Sequence, residues 1–244
     1  MRTLRLLLEY DGTHFVGWQS QDRGRTVQDE LERALRVLTK ASIRPIGSGR
    51  TDAGTHALGQ VAHFQTASDL PTERLLRGLN GLLPADIAIR SIDEAPADFH
   101  ARYSAKRKRY RYRIHLAKSA LNRSQVWAYY QALSLAPMRT AARALIGTHG
   151  FGAFCKQDPV PNSLDCQIYD ADWSVQGTEL VFEIEGNRFL RHMVRILVGT
   201  MVDIGRGARP AEDIAALLAS GERADAGPTA PAHGLCLLWV AYGA

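Results

Sequence analysis

Apolar residues recur along this chain with two different periods, and the change from one to the other marks out most of the elements. MRTLRLLLEYDG holds a short apolar run interrupted by Arg5 and Glu9. That suits a buried first strand over Leu4–Tyr10 and neither a signal peptide nor a membrane span. The polar, glycine-bearing DGTHFVGWQSQDRGR follows as a loop. Val27, Leu31, Leu35 and Leu38 then repeat at helical spacing, predicting a helix from Thr26 to about Lys40. Thr26 is placed to cap it, with Asp29 three residues on. Ile43–Ser48 and Gly59–Gln65 return to strand character and flank the turn GRTDAG. Pro71 opens a second helix through PTERLLRGLNGLL, since proline is tolerated in a first turn. Ile87–Glu94 reads as the next strand.

The order so far is β-α-β-β-α-β, the split pattern of ferredoxin-like folds. Strands are expected next at Arg107–Leu116 and Val126–Tyr130, then a short helix over Pro137–Ile146. Cys166–Val175 and Glu179–Glu185 form a hairpin pattern around QGT. Helices are predicted over Phe189–Ile204 and Pro210–Ser220, and a last strand over Leu235–Tyr242. GERADAGPTAPAHG, Gly221–Gly234, is the loop before that strand. The fold class is α+β. A division near Ala101 would give a domain over 1–100 carrying the GRTDAG loop and a second over 101–244.

Composition narrows the class. Of 244 residues 45% are hydrophobic and 23% charged, an ordinary globular balance, with a formal net charge of +5. The three cysteines, Cys155, Cys166 and Cys236, are widely spaced with no CxxC pair. They read as inert thiols in a reducing compartment, not a disulfide framework or zinc knuckle, and a cytoplasmic location is expected. No GxxxxGK[ST] stretch is present.

The positive charge is concentrated. ARYSAKRKRYRYRIH holds seven lysines and arginines and no acid. Strand alternation puts Lys108, Tyr110, Tyr112 and Ile114 on one face and Arg109, Arg111 and Arg113 on the other. Like charges so close repel unless an anion meets them, and a phosphate backbone would serve, with a tyrosine to stack on a base. Packing in the core is the plain alternative for the tyrosines, and the favoured one for Tyr112. In EGNRFLRHMVRILVG, Arg188, Arg191 and Arg195 have the spacing of one helix face, with Phe189, Met193, Ile196 and Leu197 on the buried side.

Asp52 in GSGRTDAGTHALGQVAHF admits three readings. It can close an Asx turn on its own backbone. It can bind metal with His56 and His63, although no second carboxylate and no HExxH helix accompany it. It can act as a lone nucleophilic carboxylate balanced by an arginine.

YDGTHFVGWQSQ, GRTDAGTHALGQVAHF, FHARYSAKRKRYRYRI, NRFLRHMVRILVG and GLCLLWVAY, in this order, resemble the TruA-type tRNA pseudouridine synthases. The resemblance implies conversion of uridine to pseudouridine in the anticodon stem-loop, at tRNA positions 38, 39 and 40, with no cofactor and no metal. It implies Asp52 as the catalytic carboxylate, Tyr110 against the target base, and Arg195 as the basic partner of the carboxylate. Arg50 would help extrude the uridine, and Arg109, Arg111, Arg188 and Arg191 would contact RNA. It further implies two ferredoxin-like (RRM-like) α/β halves with antiparallel sheets joined around a basic cleft, in a homodimer. Two positions depart from the family pattern: Thr55 stands where valine is usual, and Gly150 where aspartate is common. His56, His63, His149 and His192 read as hydrogen-bonding residues of core or surface. The rival function is a non-catalytic RNA-binding module with surface aromatics. A metal-dependent nuclease would need an acid cluster that the sequence lacks.

Overall fold

The computed structural model describes residues 1–156 and 162–243. The chain divides into two compact units, Met1–Lys106 with Cys236–Ala244, and Arg107–Leu235. Both mix helices with sheet, and strand pairing is mostly antiparallel.

In the first unit the order is β1 (Arg2–Tyr10), α1 (Val27–Thr39), β2 (Ile46–Gly47), β3 (His56–Thr66), α2 (Thr72–Leu82) and β4 (Ile87–Ala95). β1 lies between β3 and β4, antiparallel to both. Its Leu4, Leu6 and Leu8 are fully buried, as are Leu31 and Leu35 of α1 and Leu75 and Leu79 of α2. Each such leucine stabilises the fold by about 1.5–3 kcal/mol. The Thr26 hydroxyl accepts a hydrogen bond from the Asp29 amide (3.1 Å), capping α1 as its sequence implies. Lys40 ends the helix in the left-handed region, at φ +57°. β2 is shorter than the expected Ile43–Ser48, pairing only Ile46 with His63 and Gly47 with Ala62. Pro45 has no N–H for the ladder, and its carbonyl is taken by the Gln28 side chain through Nε2 (2.9 Å).

After β4, the segment Phe99–Ser104 is tied down from two sides. The Ala101 amide donates to His63 Nδ1 (3.1 Å), and the Tyr242 hydroxyl donates to the Ala101 carbonyl (2.8 Å).

The second unit runs β5 (Arg107–His115), β6 (Trp127–Ala128), α3 (Leu135–Arg143), β7 (Gly147–Gly150), β8 (Asp165–Gln176), β9 (Glu179–Gly186), α4 (Met193–Gly205) and α5 (Asp213–Ser220). β9 pairs antiparallel with β5 and β8, and β8 with β7. Tyr112, Ile114, Trp173, Phe182 and Ile184 point inward and are almost fully buried, with Met138, Leu197 and Met201 of the helices. The Trp173 indole N–H reaches the Met201 sulfur (3.2 Å).

α4 begins at Met193, not at Phe189. His192 precedes it with φ +64°, a left-handed conformation that interrupts helical propagation. Arg188 and Arg191 therefore lie in the approach to the helix, and the expected single face of Arg188, Arg191 and Arg195 does not form. The last strand, β10 (Leu235–Ala241), runs parallel to β3 in the first unit, pairing Cys236 with His56 and Leu237 with Ala57.

Among the described residues no helix is long and apolar enough to cross a membrane. Cys155 and Cys166 are buried, and burial pushes the Cys166 thiol up to about 11, which keeps it unreactive.

His63 generates a pH prediction. Burial, and then the neighbouring His100, hold its imidazole below the ordinary value of 6.5, against a backbone hydrogen bond to Ile46. Folding therefore favours the neutral ring. Below about pH 6.5 the unfolded chain binds the extra proton first. Chemical denaturation should show stability constant above that value and falling as pH drops through it. The fall should shrink in His63→Gln.

Candidate active site

The Asp52 turn is shaped from outside by the loop after β1. Gly54 sits at φ +78°, and the Thr55 amide donates to the Asp52 carbonyl (3.1 Å), closing a four-residue turn that needs glycine at its third position. A β-carbon on Gly12 would stand 2.1 Å from the Thr55 carbonyl oxygen, and one on Gly17 would stand 2.7 Å from that of Thr51. No larger residue allows this backbone-on-backbone approach. Three hydrogen bonds fasten it: Trp18 amide to Thr51 carbonyl (3.2 Å), Gly54 amide to Phe15 carbonyl (3.1 Å), and Gly12 amide to His56 Nδ1 (3.0 Å). His56 is thus a fastener of this loop, in keeping with a hydrogen-bonding role.

Beneath the turn lies a buried polar layer. Tyr10 and Thr51 share a hydroxyl hydrogen bond (2.8 Å), the Ser48 hydroxyl donates to Gln60 Oε1 (2.7 Å), and Gln60 Nε2 donates to the Gly49 carbonyl (3.0 Å). Burial raises the Tyr10 hydroxyl far above its usual range, so it stays a neutral hydrogen-bonding group. On this base Asp52 is half-exposed. Arg50 is exposed and donates to Gln19 Oε1 (3.1 Å).

The other expected site residues belong to the second unit. Tyr110 is buried, and its ring meets Phe189 edge-on at 5.1 Å. Tyr112 is a core residue: it is fully buried, and its hydroxyl donates to the Pro231 carbonyl (2.8 Å). Arg195 is half-buried in the first turn of α4. A cation there opposes the helix dipole, at a cost of about 0.3–1 kcal/mol. The loop before β10 holds it in place. Arg195 Nε donates to the Ala230 carbonyl (2.8 Å), and the Ala230 amide donates back to the Arg195 carbonyl (3.1 Å). The Gly227 amide adds a bond to Thr200 Oγ1 (3.0 Å). Arg188 and Arg191 are exposed.

The arginine row of β5 is answered inside its own sheet. Arg109 reaches Asp170 (2.7 Å), Glu183 (2.8 Å) and Glu185 (3.2 Å). Arg111 pairs with Glu183 at 2.6 Å, and Arg113 grips both oxygens of Glu179 (2.6 and 2.8 Å). Burial would raise the Glu183 carboxyl, but Arg111 and Arg109 outweigh it and hold the group below its usual range. The repulsion that called for an outside anion at Arg109 and Arg111 is therefore met by carboxylates of β8 and β9. Among the described residues no cluster of His, Cys, Asp or Glu could hold a metal ion.

A model of the tRNA pseudouridine synthase family matches residues 7–104 and 141–243. The chain belongs to that family. It is 46% identical over 244 residues to tRNA pseudouridine synthase A of Anoxybacillus flavithermus, covering 99% of each chain. It is 46% identical to that of Syntrophotalea carbinolica (99% of this chain, 97% of the relative) and 43% identical to that of Citrifermentans bemidjiense (99% and 98%). Within the tRNA pseudouridine synthase match lie Arg50, Asp52, Arg188, Arg191 and Arg195; Arg109, Tyr110 and Arg111 fall between its two stretches.

Sequence reasoning assigned nothing to Gly12 and Gly17, although both sit in the YDGTHFVGW motif. It also could not see that the Thr55 hydroxyl is buried without a hydrogen-bond partner. Such a group costs about 1–3 kcal/mol. Thr55→Val, which restores the residue usual in tRNA pseudouridine synthases of this type, should stabilise the protein by about 1 kcal/mol, read as a rise of about 2–4 °C in Tm.

The ion pairs separate two kinds of arginine. Arg111→Gln should lower stability by up to about 1 kcal/mol and leave the salt dependence of tRNA binding as it is. Arg188→Gln should leave stability alone and reduce the salt slope by about one, measured by filter binding over a salt series.

Proposed function

We infer that this chain is a tRNA pseudouridine synthase, converting uridine to pseudouridine in the anticodon stem-loop, with Asp52 as its essential carboxylate. The observation that carries the assignment of Asp52 is the turn itself. A half-exposed carboxylate is presented on a loop whose backbone is fixed by the close approach of Gly12 and Gly17. Loops that serve only as connections need no such support.

The chemistry is an isomerisation. The bond between uracil N1 and ribose C1′ breaks, the base turns while bound, and C5 bonds to C1′. The proton on C5 leaves to solvent and N1 takes one up, so no oxidant or phosphate donor is required. The nucleotide must first leave its stack. Asp52 works on the ribose–uracil unit, either by attack at a carbon or by assisting elimination at the sugar. Arg195 serves as the basic partner that balances the carboxylate's charge. Tyr110 meets the base and helps remove the C5 proton late in the reaction. Arg50 holds the space the uridine vacates, and Arg188 and Arg191 take phosphates. The order β-α-β-β-α-β in residues 1–100 supports a ferredoxin-like first half. A second such half, a basic cleft and a homodimer complete the reading, since a symmetric pair lets one tRNA touch both subunits.

The test uses tRNA carrying tritium at uridine C5, with EDTA present and no cofactor added. Wild type should release tritium to water. Asp52→Ala should release none, and Tyr110→Phe should be slower by about 10²–10⁴, the usual worth of one acid–base group. A wild-type protein that binds this tRNA and releases nothing would make the chain an RNA-binding module.

A further inference from the structure

The motif FHARY is not used by the chemistry above, yet its geometry is unusual for a surface loop. Tyr103 is 74% exposed. Its ring lies 4.3 Å from that of His100 at a tilt of 32°, and His100 lies 4.7 Å from His63 of β3. The three rings form a short column that starts in the core and ends at the surface. The Arg102 guanidinium stands 5.7 Å from the Tyr103 ring centre, and Arg102 and Lys106 are both exposed.

Exposed loop tips are ordinarily free to move. This one is tied by hydrogen bonds at each residue from His100 to Ser104. His100 Nδ1 accepts from the amides of both Arg102 and Tyr103 (3.2 Å each). The Ser104 amide donates to the His100 carbonyl (2.9 Å), and the His100 amide donates to Ser104 Oγ (3.1 Å). Ala101, fully buried, is held at its amide by His63 and at its carbonyl by Tyr242. The Lys106 amide is held by the Ala241 carbonyl (2.8 Å). Core packing does not explain so much order spent on presenting an aromatic ring to solvent.

We propose that Tyr103 is a stacking platform for an unpaired base of bound tRNA, with Arg102 and Lys106 meeting the adjoining phosphates. The ring column supplies a rigid surface on which the base is the next member, and rigid aromatics beside cations are how single-stranded RNA is held without reading its sequence. The platform is a binding feature separate from Asp52 and Tyr110, and it rests on tRNA being the substrate.

The experiment measures tRNA affinity by filter binding and tritium release at C5 for wild type, Tyr103→Ala, Tyr103→Phe and Arg102→Gln. Tyr103→Ala should raise Kd and KM about tenfold while kcat holds, the ordinary effect of losing one base–aromatic stack. Tyr103→Phe should recover the affinity, because the ring and not the hydroxyl carries the contact. Arg102→Gln should weaken binding and reduce its salt slope by about one. The proposal is overturned if Tyr103→Ala binds within about twofold of wild type. It is also overturned if the substitution changes the sedimentation coefficient at unchanged Kd, which would make Tyr103 a contact between copies of the chain. Wild type that binds tRNA but releases no tritium would defeat the proposed activity, and the Kd comparison would still decide on Tyr103.

Discussion

The carbonyl oxygens of Thr51 and Thr55 occupy the space where β-carbons at positions 17 and 12 would be. That single steric fact joins two parts of the chain about forty residues apart and orients everything the Asp52 turn carries. It removes side-chain bulk where the loops meet, so that amide-to-carbonyl bonds can span the junction. It also makes the YDGTHFVGW motif and the GRTDAG motif one device. The turn's own glycine gives it shape, but the partner loop gives it a fixed position. Together they present the carboxylate in one place on a fixed backbone.

The second unit meets a comparable demand with charge. Four arginines on one strand, Arg107 to Arg113, would be unstable as a bare row. Glu179, Glu183, Glu185 and Asp170 turn that row into cross-strand pairs. With its charged face neutralised, β5 can carry Tyr110 and Tyr112 on the other. α4 shows the opposite economy. His192 is left-handed and Arg195 stands at the wrong end for the helix dipole, two local costs of about 1 kcal/mol or more in sum. Conformations that fold stability alone would discard are the ones to associate with function.

Much of this was legible in the chain. The helical stripe of Val27, Leu31 and Leu35, the Thr26 cap and the alternation in RYRYRI all report local physics, and they placed α1 and β5 within a residue or two. Family motifs singled out Asp52 as the candidate carboxylate. What could not be read was mostly nonlocal. The carboxylates that answer Arg109 and Arg111 lie 61 to 76 residues further on, so the row looked unpaired. The orphaned Thr55 hydroxyl depends on what packs around it. Arg188, Arg191 and Arg195 had perfect helical spacing, but one residue with positive φ broke the helix before it could align them. β7 escaped notice because GTHG, with a glycine at each end, carries little strand propensity and is held by its pairing with Cys166 and its neighbours.

β10 belongs with the first unit although it follows the whole of the second. Its pairing with His56 and Ala57 joins residues about 180 positions apart. During synthesis the strands and helices of residues 1–106 must wait, with that length of β3 uncovered, until residues 236–241 emerge from the ribosome. The first unit therefore cannot finish folding as a nascent domain, and its completion is a late, high-contact-order step. The Tyr242 hydroxyl, which clasps Ala101, arrives in the same event. Assembly of the loop that carries Tyr103 thereby waits for a residue 141 positions downstream of Ala101, so that a chain cut before Tyr242 would lack this clasp on the loop.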